Sequence, residues 1–432
     1  MLRRKFTDFL INWKATKQKE CLLVCGARQI GKTYIIEDFA HKHYESFIEL
    51  NFEQIPLLRT IFDEDLTVPE MIKRISLHIP SARFIPRKTL IFFDEIQSCP
   101  QARTSLKFWA IDDTYDVVAS GSLLGVNYKE VSSFPVGYER QVNMYSLDFE
   151  EFLWAKGLSG NIIESIKEHF VKRTKVDESI QKKMMSYLRE YMIVGGMPEV
   201  LNKYIETNNF ALVHEEQEKI LSAYLNDIAK YADPSERTKA RACFLSIPRQ
   251  LAKENTKFQY SVVEKKGTTR KFGNALDWLR DAGIVTYCYN LSTLQFPLTA
   301  YVKEDQFRIY MSDIGLLTSM YGFEMKGALL DDTLTGPAKG GIYENLMADI
   351  LHKKKIPLYF YKKEDSSVEI EFVLTSGINP LPMEVKAKNG RTQSLNTVLT
   401  WSGINCGYKF GNYNVGVDEK KITMPLYMAM FL

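Results

Sequence analysis

The chain has 432 residues, of which 45% are hydrophobic and 25% charged, as in ordinary globular proteins with two or three domains. Its 56 Lys and Arg residues against 53 Asp and Glu residues leave a net charge of +3, too small an excess to indicate nucleic-acid binding by itself. The six cysteines form no C-x-x-C pair, and no stretch approaches about 18 apolar residues. We therefore expect no zinc site, no disulfide framework, no membrane span and a cytoplasmic location.

A glycine-rich loop follows an amphipathic helix over residues 2–14 and a short apolar strand over residues 20–25. The loop fits the pattern G-x-x-x-x-G-K-[ST], in which glycines let backbone N–H groups approach phosphate oxygens. Its residues are Gly26, Ala27, Arg28, Gln29, Ile30, Gly31, Lys32 and Thr33. Lys32 can reach the β- and γ-phosphates, and the Thr33 hydroxyl can ligate Mg²⁺. A helical pattern follows, so the sequence predicts a nucleotide-binding site at a helix N-terminus.

A second apolar strand, over residues 89–94, ends in the acidic pair Asp94 and Glu95. In a parallel sheet, the carboxyl ends of buried strands lie where ligands bind. Asp94 would hold Mg²⁺ through its water shell, and Glu95 would orient and polarise the attacking water. Such a pair can also be a simple helix N-cap, but its position after the glycine-rich loop favours the catalytic interpretation.

Strands and helices alternate through residues 1–157, which predicts an α/β domain with a parallel sheet. A further strand, over residues 115–119, is followed by Ser120, whose hydroxyl could sense the γ-phosphate; Ser122 is a weaker candidate, and a plain Gly/Ser turn is the alternative. Arg140 could enter the site of a neighbouring subunit, as in ring ATPases, or could form a surface salt bridge. The first possibility would imply a homo-oligomer.

Two regions follow, a run of helices over residues 158–235 and a winged-helix pattern over residues 236–325. The second has helices at about 241–254, 261–264 and 270–282, then a β-wing from residue 284. Four side chains of its third helix could contact DNA phosphates or bases: Arg270, Lys271, Asn274 and Arg280. Many winged helices bind only protein, so DNA and a protein partner both stay open.

The last region, residues 338–432, carries acidic residues on a helix and on two predicted strands. The strands cover residues 368–374 and 382–387, and the residues of interest are Glu344, Glu371, Glu384 and Lys386. Carboxylates in this pattern can hold Mg²⁺ while the lysine activates a hydrolytic water, as in restriction-endonuclease-like cores. The E-x-K pattern alone is weak, because any charged strand face can show it.

Several segments, in this order along the chain, resemble a prokaryotic AAA-type P-loop ATPase family with a C-terminal DUF4143 region. The segments are residues 26–33, 93–97, 121–125, 147–153, 195–200, 310–317, 343–345 and 384–387. The resemblance implies an ATP-binding domain of AAA+ type with Walker A and Walker B motifs, a winged-helix region and a nuclease-like tail that is degenerate in many members. One departure is Glu371, where the family has aspartate; the extra methylene moves the carboxylate by about 1.5 Å and weakens a nuclease interpretation.

The sequence thus predicts Mg²⁺-dependent ATP binding and hydrolysis that drive a conformational switch in a C-terminal region binding DNA or protein. Two alternatives stay open. One is an ATP-gated, metal-dependent DNA nuclease, and the other is a slowly hydrolysing ATP switch acting on a protein partner.

Overall fold

The computed structural model describes residues 2–16, 20–122, 135–232, 234–253, 257–387 and 392–432. Residues 123–125 of the predicted motif at 121–125, and residue 254 of a predicted helix, lie outside this part. The chain divides into two compact units. The first comprises Arg3–Ser146 and Asp281–Gly283, and the second comprises Leu147–Arg280 and Ile284–Leu432. No helix in the described ranges is both long and apolar enough to cross a membrane.

The first unit is built on a five-stranded sheet in which all strands are parallel. In chain order the strands are β1 (Cys21–Gly26), β2 (Ser46–Asn51), β3 (Thr89–Asp94), β4 (Asp116–Ser122) and β5 (Glu139–Asn143), and their order across the sheet is β2-β3-β4-β1-β5. The helices are α1 (Lys5–Ala15), α2 (Lys32–His43), α3 (Val68–His78) and α4 (Pro100–Asp112), with 3-10 turns at Pro56–Phe62 and Ile96–Ser98. This confirms the predicted α/β fold with a parallel sheet.

The three central strands are buried along their whole length. Helices cover both faces of such a sheet, so its strands are apolar throughout rather than alternating with polar residues. The core on one face combines Leu23 and Cys25 of β1 with Phe93 of β3 and Trp109 of α4. The carboxyl ends of β1, β3 and β4 are therefore held rigidly at one edge of the sheet.

The second unit begins with six helices: α5 (Phe149–Ala155), α6 (Gly160–Lys172), α7 (Glu178–Val194), α8 (Pro198–Thr207), α9 (Phe210–Tyr231) and α10 (Pro234–Leu251). Asp148 caps α5 as expected, because its carboxylate accepts from the Glu151 amide at 2.9 Å and the Glu151 carboxylate accepts from the Asp148 amide at 3.0 Å. Helices α6 to α9 confirm the helical region predicted over residues 158–235. Helix α10 covers most of the helix predicted at about 241–254 and begins earlier, at Pro234.

A turn at Gly195 and Gly196 separates α7 from α8 and is the meeting point of several motif segments. The Gly196 carbonyl accepts from the Leu147 amide at 2.7 Å, and the Gly196 amide donates to Asp313 at 2.8 Å. The Leu147 carbonyl in turn accepts from the Tyr191 hydroxyl at 2.9 Å. A network of buried hydrogen bonds therefore fixes this turn.

Three segments follow in the order that the winged-helix prediction names. They are α11 (Tyr260–Val263), α12 (Thr269–Asp281) and the antiparallel strands β6 (Val285–Leu291) and β7 (Val302–Met311). The helix α11 is a single turn. The winged-helix interpretation stays a prediction. Then come α13 (Ile314–Met320), α14 (Glu324–Leu330) and α15 (Pro337–Lys353).

Two sheets complete the second unit, and one of them unites strands from both predicted C-terminal regions. Strand β6 pairs with β7 and also with β8 (Tyr359–Lys362), which pairs with β9 (Glu369–Ile370). The other sheet has the order β10-β11-β12-β14-β13. Its strands are β10 (Phe372–Ser376), β11 (Asn379–Lys386), β12 (Gly407–Gly411), β13 (Gly416–Asp418) and β14 (Lys421–Pro425), with α16 (Gln393–Val398) after β11.

The predicted single strand at 368–374 is divided between these two sheets. Its first part is β9, its second part is β10, and Glu371 lies between them. Apolar and acidic residues alternate up to Glu371, and a continuous apolar run, Phe372 to Leu374, begins β10. Both patterns are compatible with a strand, which is why the sequence predicts a single one.

Candidate nucleotide-binding site

The glycine-rich loop joins the end of β1 to the start of α2, as the sequence predicts. Gly31 has a φ of 86°, a left-handed conformation that favours glycine. At Gly26 an added Cβ would lie 2.5 Å from the carbonyl oxygen of Met144, so only glycine fits there. Backbone geometry thus requires a glycine at each end of the loop, at Gly26 because of the close approach of Met144 and at Gly31 because of its left-handed conformation. A glycine-rich loop of this kind can place backbone N–H groups around phosphate oxygens.

Lys32 lies inside this loop and is buried. Its ammonium group donates to the carbonyl of Ala27 at 2.8 Å and to that of Gly26 at 3.1 Å. Burial lowers the pKa of Lys32, and the nearby Glu95 carboxylate opposes this shift. A positive charge held by neutral carbonyls in a buried place gains strongly from an anionic ligand.

Asp94 is the polar centre of the site, and three side chains from different elements donate to its carboxylate. Thr33 lies 3.1 and 3.3 Å from its two oxygens, and the Asn51 amide lies 3.0 Å away. The Ser120 hydroxyl also donates to it. The register of the parallel strands explains why these side chains meet. On one side of β3, Asn51 of β2 is paired with Asp94. On the other side, Ala119 of β4 is paired with Phe93, so the next residues along the two strands, Ser120 and Asp94, also lie side by side.

The donor set at this point fits a magnesium ion. Mg²⁺ prefers oxygen ligands and keeps several waters, so one hydroxyl and one carboxylate on adjacent elements suit it. Thr33 and Asp94 supply these two groups. Burial raises the pKa of Glu37, and the charge of Asp94 adds to that rise, so the surroundings of Asp94 would attract a cation.

Glu95, the predicted catalytic base, follows β3 in a left-handed conformation with a φ of 54°. Burial raises its pKa above the ordinary glutamate value, and a hydrogen bond from the Gln97 amide counteracts the rise. Gln97 is itself buried, and among the described residues its Oε1 atom has no hydrogen-bond partner. Gln97 therefore fixes one oxygen of the Glu95 carboxylate and leaves an acceptor beside it.

Sequence reasoning assigned no role to Asn51 or Gln97. The signal for Asn51 was available, because it is a polar residue at the carboxyl end of a predicted strand, as Asp94 is. Gln97 lies in the motif segment 93–97, but the sequence does not reveal its contact with Glu95, because that contact depends on the turn at Ile96–Ser98.

Arg140 is exposed on the edge strand β5, where its guanidinium lies over the Phe9 ring at 5.4 Å. It is paired with Leu22, four residues before Gly26, or about 13 Å along the strand. Arg140 cannot span that distance to the loop of its own chain. Its predicted role in a neighbouring subunit stays a prediction.

The four nuclease-like residues do come together in the second unit, but cations of the chain lie among them. Lys386 is 2.8 Å from Glu371 and 3.9 Å from Glu384. Glu344 accepts from Arg308 at 3.3 Å. Arg308 is 1% exposed and also pairs with Glu369, so it contributes a buried charge that the sequence did not reveal.

A metal ion does not fit this cluster as the chain arranges it. A cation approaching Glu371 would have to displace the Lys386 ammonium, and one approaching Glu344 would meet Arg308. In the described ranges, no group of three or more His, Cys, Asp and Glu side chains could hold a metal ion. Burial, with the nearby Glu371 charge, raises the pKa of Glu384 to about 7.

The third helix of the winged-helix pattern, α12, presents a basic surface next to α11. Its exposed cations lie within seven residues: Lys265, Lys266, Arg270 and Lys271. Lys271 pairs with Glu264 at 2.6 Å. Arg280 pairs with Asp277 at 3.0 Å and lies over the Tyr287 ring. Asn274 is exposed on the same helix.

Three family models match successive parts of the chain. An AAA domain matches residues 18–153, a domain of unknown function (DUF8612) matches residues 185–327, and another (DUF4143) matches residues 339–427. The resemblance found in the sequence is thereby confirmed: the chain combines an AAA domain with a DUF4143 region. Comparison with curated protein sequences gives no match.

Among solved structures, the chain is similar to the Walker-type ATPase PABY2304 of Pyrococcus abyssi, at 12% identity and a TM-score of 0.41, covering 74% of this chain and 96% of that one. It is similar to the Aeropyrum pernix ORC1 protein in complex with DNA, at 11% identity and a TM-score of 0.29, covering 77% of this chain and 93% of that one. It is also similar to PCH-2 of C. elegans, at 13% identity and a TM-score of 0.23, covering 40% of this chain and 49% of that one.

Proposed function

Because the chain contains an AAA domain, we propose that it binds Mg·ATP at the loop 26–33 and hydrolyses it. The observation that carries this proposal is the convergence of Thr33, Asn51 and Ser120 on the buried Asp94 carboxylate, beside the loop that holds Lys32. A hydroxyl, a carboxylate and an ammonium next to bare backbone amides are the groups needed to bind a metal-bound triphosphate.

Each side chain has a role that follows from its contacts. Lys32 would neutralise phosphate charge, and Thr33 and Asp94 would hold a Mg²⁺ ion, which would draw electron density from the phosphate oxygens. Glu95 orients the attacking water and accepts its proton, with Gln97 fixing the carboxylate. Ser120 donates to Asp94, and its proposed role is to sense the γ-phosphate.

The test is ATP turnover and ADP binding by wild-type protein, Lys32→Ala and Glu95→Gln, with Lys42→Ala as the matched control because Lys42 is exposed on the same helix α2. We expect Lys32→Ala to lose both binding and turnover. Glu95→Gln should bind ADP normally and lose about 100-fold in turnover. Unchanged turnover in both variants would show that the assigned site is wrong.

We further propose that hydrolysis changes the conformation of the C-terminal region and that this region binds DNA through α12. The exposed cations around Arg270 support DNA as the partner, because phosphate contacts are made by clustered Lys and Arg. The same face would serve a protein partner if DNA is not bound.

Duplex and single-stranded DNA binding would be measured by fluorescence anisotropy with ADP and with a non-hydrolysable ATP analogue. Arg270→Glu should weaken binding and reduce the salt dependence by about one ion per lost phosphate contact. Lys182→Glu, an equal change of charge on the exposed side of α7, should have little effect. Equal DNA affinity in both nucleotide states would argue against a conformational switch. No DNA binding in either state would favour the alternative of a slowly hydrolysing ATP switch that acts on a protein partner.

An ATP-gated nuclease is the other alternative, and the meeting of Glu344, Glu371, Glu384 and Lys386 favours testing it. The pairing of these carboxylates with Lys386 and Arg308 weakens it. DNA integrity would be followed in the same samples with Mg²⁺ and with Mn²⁺. Cleavage that is lost in Lys386→Ala would support a nuclease, whereas intact DNA in every nucleotide state would exclude one.

A further inference from the structure

An arginine outside the glycine-rich loop contacts it directly. Arg4 precedes α1 and is 9% exposed. One end of its guanidinium donates to the carbonyl of Ile30 at 3.2 Å, and the other end donates to the carbonyl of Tyr145 at 2.6 Å. Arg4 thus joins the middle of the loop to the segment that follows β5.

The Tyr145 end of this bridge is itself anchored. The Met144 amide donates to the Cys25 carbonyl at 2.8 Å, and the Met144 carbonyl lies against Gly26, where a Cβ would be 2.5 Å away. The segment is therefore fixed to the end of β1. Arg4 holds Ile30 relative to a rigid point, which a flexible surface contact would not do.

The contact to Ile30 also determines where the next amide points. The Ile30–Gly31 peptide is trans, so the carbonyl of Ile30 and the N–H of Gly31 point in opposite directions. By holding the carbonyl, Arg4 directs the Gly31 N–H away from itself. The N–H groups of such a loop bind phosphate oxygens when they point into the cradle.

We propose that Arg4 is a positioning residue for nucleotide binding, which orients the Gly31 amide toward the β-phosphate by holding the Ile30 carbonyl. The inference rests on the proposed ATPase function. The planar guanidinium of arginine suits this role because its two ends donate to two carbonyls at once. A lysine ammonium would contact only one carbonyl, or both with poorer hydrogen-bond angles. The guanidinium also adds positive charge next to the loop.

The experiment compares ADP binding, with Mg²⁺, by wild-type protein, Arg4→Met, Arg4→Lys and Arg3→Met, together with the unfolding temperature of each without ligand. Arg3 is the matched control, because it is the exposed neighbour of Arg4. ADP is used because it keeps the β-phosphate and is not hydrolysed. We expect Arg4→Met to weaken ADP binding about tenfold. The ADP affinity of Arg4→Lys should lie between those of Arg4→Met and wild type, and the ADP affinity of Arg3→Met should equal that of wild type.

A merely structural arginine gives a different pattern, in which the unfolding temperature falls while the folded protein keeps its ADP affinity. That result would overturn the inference and leave the proposed function standing. If wild-type protein does not bind ADP, the proposed function itself fails. Should Arg4→Met not fold, Arg4→Lys decides, since an ADP affinity equal to wild type there would refute the positioning role.

Discussion

The two largest influences on the pKa of Glu95 oppose each other. Burial favours the neutral acid and raises its pKa, while the hydrogen bond from Gln97 favours the carboxylate. A catalytic base must be ionised to accept a proton. The pH at which ATP turnover begins to fall in acid should therefore report the balance between these two influences.

Replacing Gln97 by alanine tests this balance. The variant loses the hydrogen bond that lowers the Glu95 pKa, so the acid limb of the profile of kcat/KM against pH should move to higher pH, with a loss of about tenfold or less at the optimum. The measurement is the pH–rate profile, with Gln101→Ala as control because Gln101 is exposed on the neighbouring helix. An acid limb that does not move would mean that Glu95 is not the titrating base.

The sequence was sufficient to predict a site that includes Lys32, Thr33 and Asp94, because their types and spacing follow a pattern set by phosphate chemistry. Their roles stay a prediction, although the structure does place Thr33 against Asp94. The sequence was not sufficient for Arg308. A lone arginine on a strand carries no sign of the carboxylates it will meet, and those come from α15 and β9, far along the chain. Contacts between distant segments depend on the packing of the whole unit.

The turn at Gly195 and Gly196 shows how two glycines can determine the path between helices. Gly195 has a φ of 75°, and a Cβ on Gly196 would lie 2.8 Å from backbone atoms of Leu147. The Leu147 carbonyl also accepts from Lys353, and Lys353 pairs with the buried Asp349 at 2.9 Å. The segment before α5 can approach this turn only because Gly196 has no side chain.

Gly196→Ala should therefore destabilise the protein by about 3 kcal/mol, since backbone rather than a flexible side chain must move. The matched control is Gly327→Ala in α14, where an added Cβ meets nothing within 4 Å. That change should be neutral or stabilise by about 0.5 kcal/mol, because alanine is the better helix former. Urea unfolding of both variants gives the comparison, and equal stability of the two would contradict the close approach.

Helices and buried strands were predictable because their periodicity is local, and the parallel sheet followed from their alternation. The division at Glu371 was not. Residues 368–371 alternate and residues 372–374 are continuously apolar, and both patterns are compatible with one strand. Periodicity alone therefore does not show that the hydrogen-bonding partner changes from β8 to β11.

The second unit contains two buried carboxylates whose pKa is raised to about 7, Glu384 and Asp349. Burial is the main cause at both. A carboxyl with a raised pKa in the folded state keeps its proton there after the unfolded chain has lost it. Stability is then fully present below the unfolded pKa values of 4.5 and 3.8 and declines as the pH rises toward 7.

We accordingly expect Glu384 and Asp349 to make the wild-type protein more stable at pH 5 than at pH 8, despite the smaller opposing effect of His352, whose pKa burial lowers to about 4. Glu384→Gln should reduce this difference by on the order of 2 kcal/mol, because glutamine can still accept from the Leu395 amide and has no proton to lose. Urea midpoints at both pH values provide the measurement. Glu419→Gln, at an exposed position, should leave the difference as in wild type; the same result for Glu384→Gln would rule out its raised pKa.

The sheet formed by β6, β7, β8 and β9 limits where the chain can be divided, in evolution or in protein engineering. A fragment that ends between α14 and α15 would keep β6 without β8, leaving a row of open backbone donors and acceptors that invites aggregation. The fragment would also lack Glu344 and Glu369, which pair with the buried Arg308. Leaving that charge unpaired would lower the free energy of unfolding by about 3–5 kcal/mol. A gene exchange that joins this region to another ATPase must therefore carry both strands together.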